Sequence, residues 1–154
     1  MIKPEKLVSL FNTLIEINSD RAEGYKIAAA ETSEPDLKIL FSQFQQTSLH
    51  CKTQIVAEMH RLRRIPIHGV KVSGNFYKIW AEFKESGETM NRVAILAACL
   101  KGEDYANSVY QRALESRNDQ LSPDNQAMVY AQYEQIKAEF EEVRILLDQT
   151  EEQS

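Results

Sequence analysis

The sequence predicts an all-α protein, a bundle of four long helices with a short fifth helix. Apolar residues recur every three or four positions through most of the 154-residue chain, which is the spacing of one face of a helix. The chain contains only 5 Gly and 4 Pro, too few for a β-rich fold with many turns. No stretch shows the alternation of a strand, and residues 1–154 have the length of a single domain.

Composition and charge narrow the class of function. The apolar fraction of 43% and the charged fraction of 27% are those of an ordinary soluble protein. A net charge of −5 argues against general nucleic-acid binding, which requires a basic surface. No apolar run approaches the ~20 residues that span a bilayer, and the N-terminus lacks the apolar segment of a secretory signal. A cytoplasmic location without a membrane span is therefore expected.

Two helices are predicted in the first half of the chain, at about 4–33 and 36–64. Pro4 suits a first helical turn, because its missing N–H would have no partner there. Glu34 and Pro35 separate the two helices, since the residue before a proline avoids the helical region. Arg21 interrupts the apolar stripe of the first helix, which consists of Leu7, Leu10, Leu14, Ile17, Gly24 and Ala28. The second stripe consists of Leu37, Leu40, Phe41, Phe44, Ser48, Cys51, Ile55 and Leu62.

A short, aromatic helix is predicted at about 74–86. Ser73 is its expected N-cap, and Gly87 is well placed to end it. Its aromatic edge is expected to seal the main core rather than to bind a partner, because isolated amphipathic helices usually pack on their own protein. This edge has the spacing i, i+3, i+4 and i+7 and consists of Phe76, Ile79, Trp80 and Phe83.

The two remaining long helices are predicted at about 89–118 and 123–149. The first begins near Thr89, a candidate cap, and carries Gly102-Glu103-Asp104 in the middle of a wide apolar face. Ser122-Pro123-Asp124 is a complete start signal, with a cap, a proline at the first position and an acid in the first turn. The stripe of the last helix consists of Val129, Tyr133, Ile136, Phe140, Val143 and Leu147.

The lengths of the connections predict the topology. Links of about three residues join the first two helices and the last two, so each pair forms an antiparallel hairpin. About 25 residues separate the hairpins, enough to return along helices that are ~40–45 Å long at ~1.5 Å per residue. Two antiparallel hairpins joined by one long crossover, here with an extra short helix, form the ferritin-like four-helix bundle.

Alignment of the four stripes by depth predicts a polar layer at mid-height. Arg21, Cys51, Glu103 and Phe140 fall at about the same level. Because a buried carboxylate requires a partner, Glu103 is expected to face the interior and to pair with Arg21. Tyr25 and other tyrosines are candidates to add hydroxyl groups. The two cysteines, neither in a C-x-x-C motif, are expected to be buried, reduced thiols.

A standard di-iron site is not expected. Such a site takes a Glu from each of two helices and a Glu-x-x-His motif from each of the others. No Glu-x-x-His occurs in this chain, and the last long helix contains no His. Carboxylates remain as candidate metal ligands, with Glu103 first, followed by Glu58, Glu23, Asp20 and Glu16. No cofactor is predicted, and iron or another divalent metal is the alternative.

Other catalytic motifs are also missing. The sequence has no Gly-rich phosphate loop and no G-x-S-x-G. His50 and Cys51 form a poor base–nucleophile couple, because neighbouring helical residues point about 100° apart. The sequence therefore favours a protein that is not an enzyme.

Four stretches of the chain form a recognisable pattern: NTLIEINSDRAEGYKIAA, LKILFSQF, VSGNFYKIW and ILAACLKGEDYANSVYQRAL. Over about residues 5–147 the chain resembles a bacterial family of ferritin-like four-helix-bundle proteins of unknown function. Ser73-Gly74 with Trp80, and Gly102-Glu103-Asp104 with Tyr110, carry most of the resemblance. It implies the ferritin-like fold and no particular reaction.

The chain also departs from this family. Relatives often carry His where this chain has Tyr77, acids where it has Ala98 and Leu100, and a His near Phe140. The resemblance therefore implies that this chain lacks several residues with which relatives could bind a ligand.

Two functions from different classes follow. The first is a non-catalytic structural or interaction protein; a homo-oligomer such as a dimer is compatible with its wide apolar faces. The alternative is a degenerate metal-binding or redox protein that uses Glu103 and nearby carboxylates. A third, weaker hypothesis makes the aromatic helix a lid over a ligand cavity.

Overall fold

The computed structural model describes residues 4–67, 74–87, 89–117 and 121–153, and these residues form five α-helices. They are α1 (Pro4–Glu31), α2 (Pro35–Arg61), α3 (Asn75–Ser86), α4 (Arg92–Arg117) and α5 (Pro123–Glu152). No β-strand occurs in the described residues, so the all-α prediction is confirmed. None of these described helices is long and apolar enough to cross a membrane.

The ends of the helices follow local rules. Pro35 and Pro123 stand at the starts of α2 and α5, and the Ser122 hydroxyl accepts a hydrogen bond from the Asn125 N–H at 3.1 Å. Gly87 ends α3 with a φ of 71°, the left-handed conformation that favours glycine. The predicted cap Ser73 lies outside the described residues, and Gly74 occupies the N-cap position of α3.

Several helix ends differ from the predicted positions; α1 ends at Glu31 rather than near residue 33, and α5 continues to Glu152 rather than ending near residue 149. α4 begins at Arg92 rather than near Thr89, because Asn91 Oδ1 accepts a hydrogen bond from the Ala94 N–H at 2.9 Å and caps the helix. α2 ends at Arg61 rather than near residue 64, where the backbone leaves the helix through Arg63 with a φ of 59°.

The helices pack as two hairpins joined by a crossover. α1 packs most extensively on α2, and α4 on α5, while α2 and α5 touch least; α3 lies against α1 and α4. Arg92 at the start of α4 bonds to Glu34 Oε2 at 3.1 Å, to Asp36 Oδ2 at 3.0 Å and to Thr150 Oγ1 at 3.1 Å. These contacts bring the starts of α2 and α4 and the end of α5 to one end of the bundle, so the crossover returns along its length.

The apolar core is divided into two clusters by polar side chains. The cluster nearer the Arg92 end includes Tyr25, Phe41 and Leu96. The other includes Leu14 and Ile55. In each long helix a polar residue lies between the positions that serve the two clusters; these residues are Arg21, Ser48, Glu103 and Glu139.

Helix α3 is fastened across α1 and α4 by its aromatic side. Phe76 and Trp80 are each 1% exposed and belong to the core. The Phe76 ring lies so close to two helical glycines that a Cβ at Gly24 would be 2.2 Å from Phe76 Cγ, and one at Gly102 would be 2.7 Å from the ring. Trp80 Nε1 donates to the Gly24 carbonyl at 3.1 Å. α3 therefore requires glycine on both helices that it covers.

Candidate functional site

The centre of the bundle is organised around the buried guanidinium of Arg21, which is 1% exposed. Arg21 Nε donates to Glu103 Oε1 at 2.7 Å and Nη2 to Glu103 Oε2 at 2.6 Å, which is a bidentate pair. Nη2 also donates to Glu139 Oε1 at 2.6 Å. Nη1 donates to Ser48 Oγ at 2.9 Å and to the Phe44 carbonyl at 3.2 Å. Every nitrogen of the guanidinium thus has an acceptor. We call Arg21, Glu103 and Glu139 the central ion triad.

Glu103 is fully buried at 0% exposure, and a second donor holds it in place. The Tyr25 hydroxyl donates to Glu103 Oε2 at 2.7 Å. The Arg21 guanidinium carbon lies 5.1 Å from the centre of the Tyr25 ring and 5.8 Å from that of Phe44, within the range of cation–π attraction. Both the fork of the guanidinium and its face are therefore occupied.

Glu139 is the member of the triad that reaches toward solvent, with a side chain that is 12% exposed. Its Oε2 accepts a hydrogen bond from the Thr47 hydroxyl at 2.6 Å. Burial raises the pKa of Glu139 and the charge of Glu103 adds to this effect, against the opposing influence of Arg21 and Thr47. With two carboxylates to one guanidinium, Glu139 is where the centre can take up a proton.

The buried thiols beside the centre are poor nucleophiles. Burial raises the pKa of Cys51 to about 11. Burial, reinforced by the charge of Glu103, raises the pKa of Cys99 well above its ordinary value. Because the thiolate is the reactive form, both groups are inert at neutral pH. Both cysteines are free and buried, as the sequence predicts.

A second hydrogen-bond network, the neutral network, links all four long helices. Asn18 Nδ2 donates to the Tyr110 hydroxyl at 2.7 Å, and that hydroxyl donates to Gln132 Oε1 at 2.7 Å. Gln132 Nε2 then donates to the Cys51 carbonyl at 3.2 Å and to Gln54 Oε1 at 2.9 Å. Because this network is neutral, we interpret it as fixing the register between helices and not as a reactive site.

The predicted polar layer contains different residues from those expected on two helices. Arg21 and Glu103 are in direct contact. Cys51 is buried and contributes its carbonyl to the neutral network, while Ser48, one turn earlier, accepts a hydrogen bond from Arg21. On α5 the prediction of Phe140 is wrong: Glu139 contacts Arg21, and Phe140 is only partly buried.

The spacing of the stripe explains the missed residue. Glu139 lies three residues after Ile136 and four before Val143, whereas Phe140 lies four after and three before them. Both positions satisfy helical periodicity, so hydrophobicity alone selects the phenylalanine.

The other candidate metal ligands are engaged elsewhere or are apart from the centre. The Phe76 N–H donates to both carboxylate oxygens of Asp20, each 3.0 Å from the Phe76 nitrogen, so Asp20 caps α3. Burial raises the pKa of Asp20. Glu58 pairs with Arg61 Nε at 2.7 Å, and this hydrogen bond lowers its pKa. Glu16 is exposed and Glu23 is half-buried. Within the described residues no three His, Cys, Asp or Glu side chains are gathered in a way that could hold a metal ion.

The residues at the centre therefore do not fit the di-metal site that a ferritin-like fold implies. The position between the two facing carboxylates is filled by the Arg21 guanidinium, and the triad contains no His. A divalent metal would meet a fixed positive charge there.

The pH dependence of stability should report the position of Glu139. The folded-state pKa of Glu139 lies above the ordinary value of 4.5. The stability that Glu139 contributes is therefore fully present below pH 4.5 and is lost as the pH rises through the folded-state pKa. Glu139→Gln mimics the protonated form permanently. We therefore expect this variant to gain stability relative to wild type between pH ~4 and pH ~7 in urea unfolding. The exposed Glu142, as Glu142→Gln, is the matched control; an equally pH-independent difference for both variants would contradict the assignment.

Comparison with known proteins places the chain in a family. The family described as Domain of unknown function (DUF2383) matches residues 6–116. A solved structure of a conserved hypothetical protein, rv2844, from Mycobacterium tuberculosis has a TM-score of 0.70 at 10% identity, covering 95% of this chain and 100% of that chain.

A second solved structure is described as a dodecameric thioferritin, the bacterioferritin-related protein from Bacteroides fragilis. It has a TM-score of 0.69 at 16% identity and covers 99% of this chain and 92% of that chain. No curated protein matches the chain significantly. At identities this low, structural similarity establishes the fold alone. It confirms the predicted ferritin-like fold. The chain belongs to the DUF2383 family and is a ferritin-like helical protein.

Proposed function

We propose that this protein is a non-catalytic structural or interaction protein. The observation that carries the proposal is the mutual saturation of the central ion triad. Each nitrogen of the guanidinium has an acceptor, and each carboxylate has a second donor, the Tyr25 or the Thr47 hydroxyl. Groups that satisfy each other in this way are not free to bind a metal or to move a proton to a substrate.

The surface above the centre supports the same proposal. A shallow groove of about 710 Å³ lies between α2 and α5, and its walls include Gln43, His50 and Gln135. Thr47, which lines this groove, donates its hydroxyl to Glu139 Oε2, and Glu139 Oε1 accepts from Arg21, so both carboxylate oxygens are engaged within the bundle. Catalysis requires a reactive group within hydrogen-bond reach of a substrate, and Glu103 is fully buried while both oxygens of Glu139 already accept hydrogen bonds.

Assembly into a homo-oligomer is part of the proposal. The related fold from Bacteroides fragilis belongs to a protein described as dodecameric. Large apolar side chains remain exposed on α2 and α5, among them Ile39 at 63% and Ile145 at 53%. We also propose a cytoplasmic location, because two free, buried thiols suit a reducing compartment.

The alternative function is a degenerate metal-binding or redox protein centred on Glu103. One observation favours it: carboxylates from two different helices, α4 and α5, converge on the same cation. In this alternative a metal would have to displace the arginine from both of them.

Elemental analysis of protein purified without chelator separates the two functions. We expect iron, manganese and zinc well below one equivalent per chain, and no change on Glu103→Gln. Metal near one equivalent that is lost in Glu103→Gln would replace our proposal with the alternative. Sedimentation and a pull-down test the proposed role in interactions. A protein that sediments as a monomer and captures no partner would contradict that role.

A further inference from the structure

We infer that Arg21 is a tethered cation, a guanidinium that permanently fills a preformed cation site built by the facing helices at mid-height. This inference rests on the proposed absence of a metal centre. It assigns to the chain a site with a defined ligand class, a planar monovalent cation, and it makes the bound cation part of the polypeptide.

The acceptors that surround the guanidinium come from three helices other than its own. α2 supplies Ser48 Oγ and the Phe44 carbonyl, α4 supplies Glu103, and α5 supplies Glu139. The nitrogen–oxygen distances range from 2.6 to 3.2 Å. Convergence of acceptors from several elements on one point is the arrangement of a cation-binding site.

The acceptors are held in place by groups other than the arginine. The Tyr25 hydroxyl bonds to Glu103 Oε2 at 2.7 Å, and the Thr47 hydroxyl bonds to Glu139 Oε2 at 2.6 Å. The Tyr25 ring in turn packs against Phe76 with ring centres 5.2 Å apart. Shortening the arginine would therefore leave an oriented pair of buried carboxylates around an empty volume.

The shape of the site favours a guanidinium over a metal ion. Glu103 offers both oxygens side by side to two nitrogens of the fork, which is the geometry of a planar bidentate donor. Zinc, copper and nickel prefer imidazole or thiolate ligands, and the described acceptors of the Arg21 guanidinium are two carboxylates, a hydroxyl and a carbonyl. The cation–π contacts with Tyr25 and Phe44 also suit a flat, weakly hydrated cation.

Tethering has a physical consequence. A cation attached to the chain is present at a high effective concentration and cannot be removed by dilution or chelation. The folded state should therefore be independent of the supply of metal ions.

Chemical rescue of full-length Arg21→Ala tests the site. Thermal unfolding is measured with guanidinium chloride at non-denaturing concentrations, with sodium chloride at the same ionic strength, with urea as the uncharged analogue, and with manganese chloride. We expect guanidinium alone to raise the Tm of this variant, by about 2–4 °C once it exceeds its dissociation constant several-fold. Wild type should show no rise, because its site is full.

Leu14→Ala is the matched control, since Leu14 lies on the same helix at 0% exposure and its removal leaves an apolar cavity. Guanidinium should not rescue it. In Arg21→Ala/Glu103→Gln the rescue should weaken, because one carboxylate of the site is lost. Equal rescue of the Leu14 variant would overturn the inference, and so would rescue by sodium chloride, by urea or by manganese alone.

If Arg21→Ala is recovered unfolded, its refolding from urea is followed by helical circular dichroism. Recovery of helix only with guanidinium supports the site, and no recovery with any of the four additives contradicts it. Metal analysis of wild type tests the proposed function, whereas rescue of the variant tests the tethered cation. A failed rescue with no metal in wild type would overturn the tethered cation alone, whereas metal in wild type would overturn the proposed function first.

Discussion

Replacing Arg21 by methionine is expected to destabilise the protein by about 3–5 kcal/mol, because it leaves a buried carboxylate without its cation. Methionine retains most of the apolar stem, so the loss arises chiefly from the charge and the hydrogen bonds. Glu103 has 0% exposure and cannot reach water, whereas Glu139 is 12% exposed. Urea unfolding monitored by circular dichroism measures the change in free energy.

A double-mutant cycle identifies the cause of that loss. Glu103→Gln keeps an acceptor for the Tyr25 hydroxyl but removes the negative charge. Arg21→Met/Glu103→Gln should therefore be more stable than Arg21→Met alone, with a coupling energy of about 1–3 kcal/mol. Additive effects would show that the ion pair is not what stabilises the centre.

Replacing Phe76 by alanine is expected to cost about 3–5 kcal/mol, the usual range for removing a buried aromatic ring. The ring is 1% exposed and packs against Tyr25 and Trp80 with ring centres 5.2 and 6.3 Å away. Its removal leaves a cavity between α1 and α4. Exposed Tyr77 on the same helix is the matched control, and Tyr77→Ala should change stability by less than about 0.5 kcal/mol.

The same ring should invert the effect of a substitution at Gly24. A helical Gly→Ala change normally stabilises by about 0.5–1 kcal/mol, because glycine loses more backbone entropy on folding. In wild type the new Cβ would lie 2.2 Å from Phe76 Cγ, so we expect Gly24→Ala to destabilise by about 1–3 kcal/mol through overpacking.

The Phe76→Ala background removes the three ring atoms that crowd this position, and Gly24→Ala should become stabilising there. The same sign in both backgrounds would show that the ring does not determine the requirement for glycine. Gly102→Ala, where the closest approach is 2.7 Å, provides a second and less crowded position for comparison.

These two groups of variants address different properties of the centre. Arg21 and Glu103 join α1 and α4 through charge, and Phe76 packs against Tyr25, whose hydroxyl bonds to Glu103. Arg21 and Glu103 lie on α1 and α4, the two helices against which α3 packs. We therefore expect loss of α3 packing to weaken the ion triad as well.

The sequence was sufficient for those features that depend on neighbours along the chain. Pro35, Ser122 and Pro123 mark helix starts through backbone geometry and capping, which act within one turn. The short links and the long crossover dictate two antiparallel hairpins, because a chain of about three residues cannot turn any other way. Where two nearby residues could each cap, as with Thr89 and Asn91, periodicity could not choose between them.

Depth along the bundle could also be read from the sequence. Counting residues from the turn brings Arg21 and Glu103 to similar levels, and the cost of an unpaired buried charge predicts that they meet. In the structure Arg21 Nε lies 2.7 Å from Glu103 Oε1. The count could not choose between Glu139 and Phe140, because a depth is uncertain by a residue and one residue rotates a helical side chain by about 100°.

The Gly102-Glu103 segment of α4 separates what local sequence predicts from what depends on packing between helices. By itself the sequence determined that these helices form, how they are connected and that a carboxylate lies in the middle of a buried face, since all three follow from local spacing and chain length. Only the tertiary structure decided that Glu139 completes the triad, that Asp20 caps α3, and that Phe76 fills the space beside Gly24 and Gly102. Each of these depends on the rotation of one helix about its own axis relative to another, and packing of the whole bundle sets that rotation.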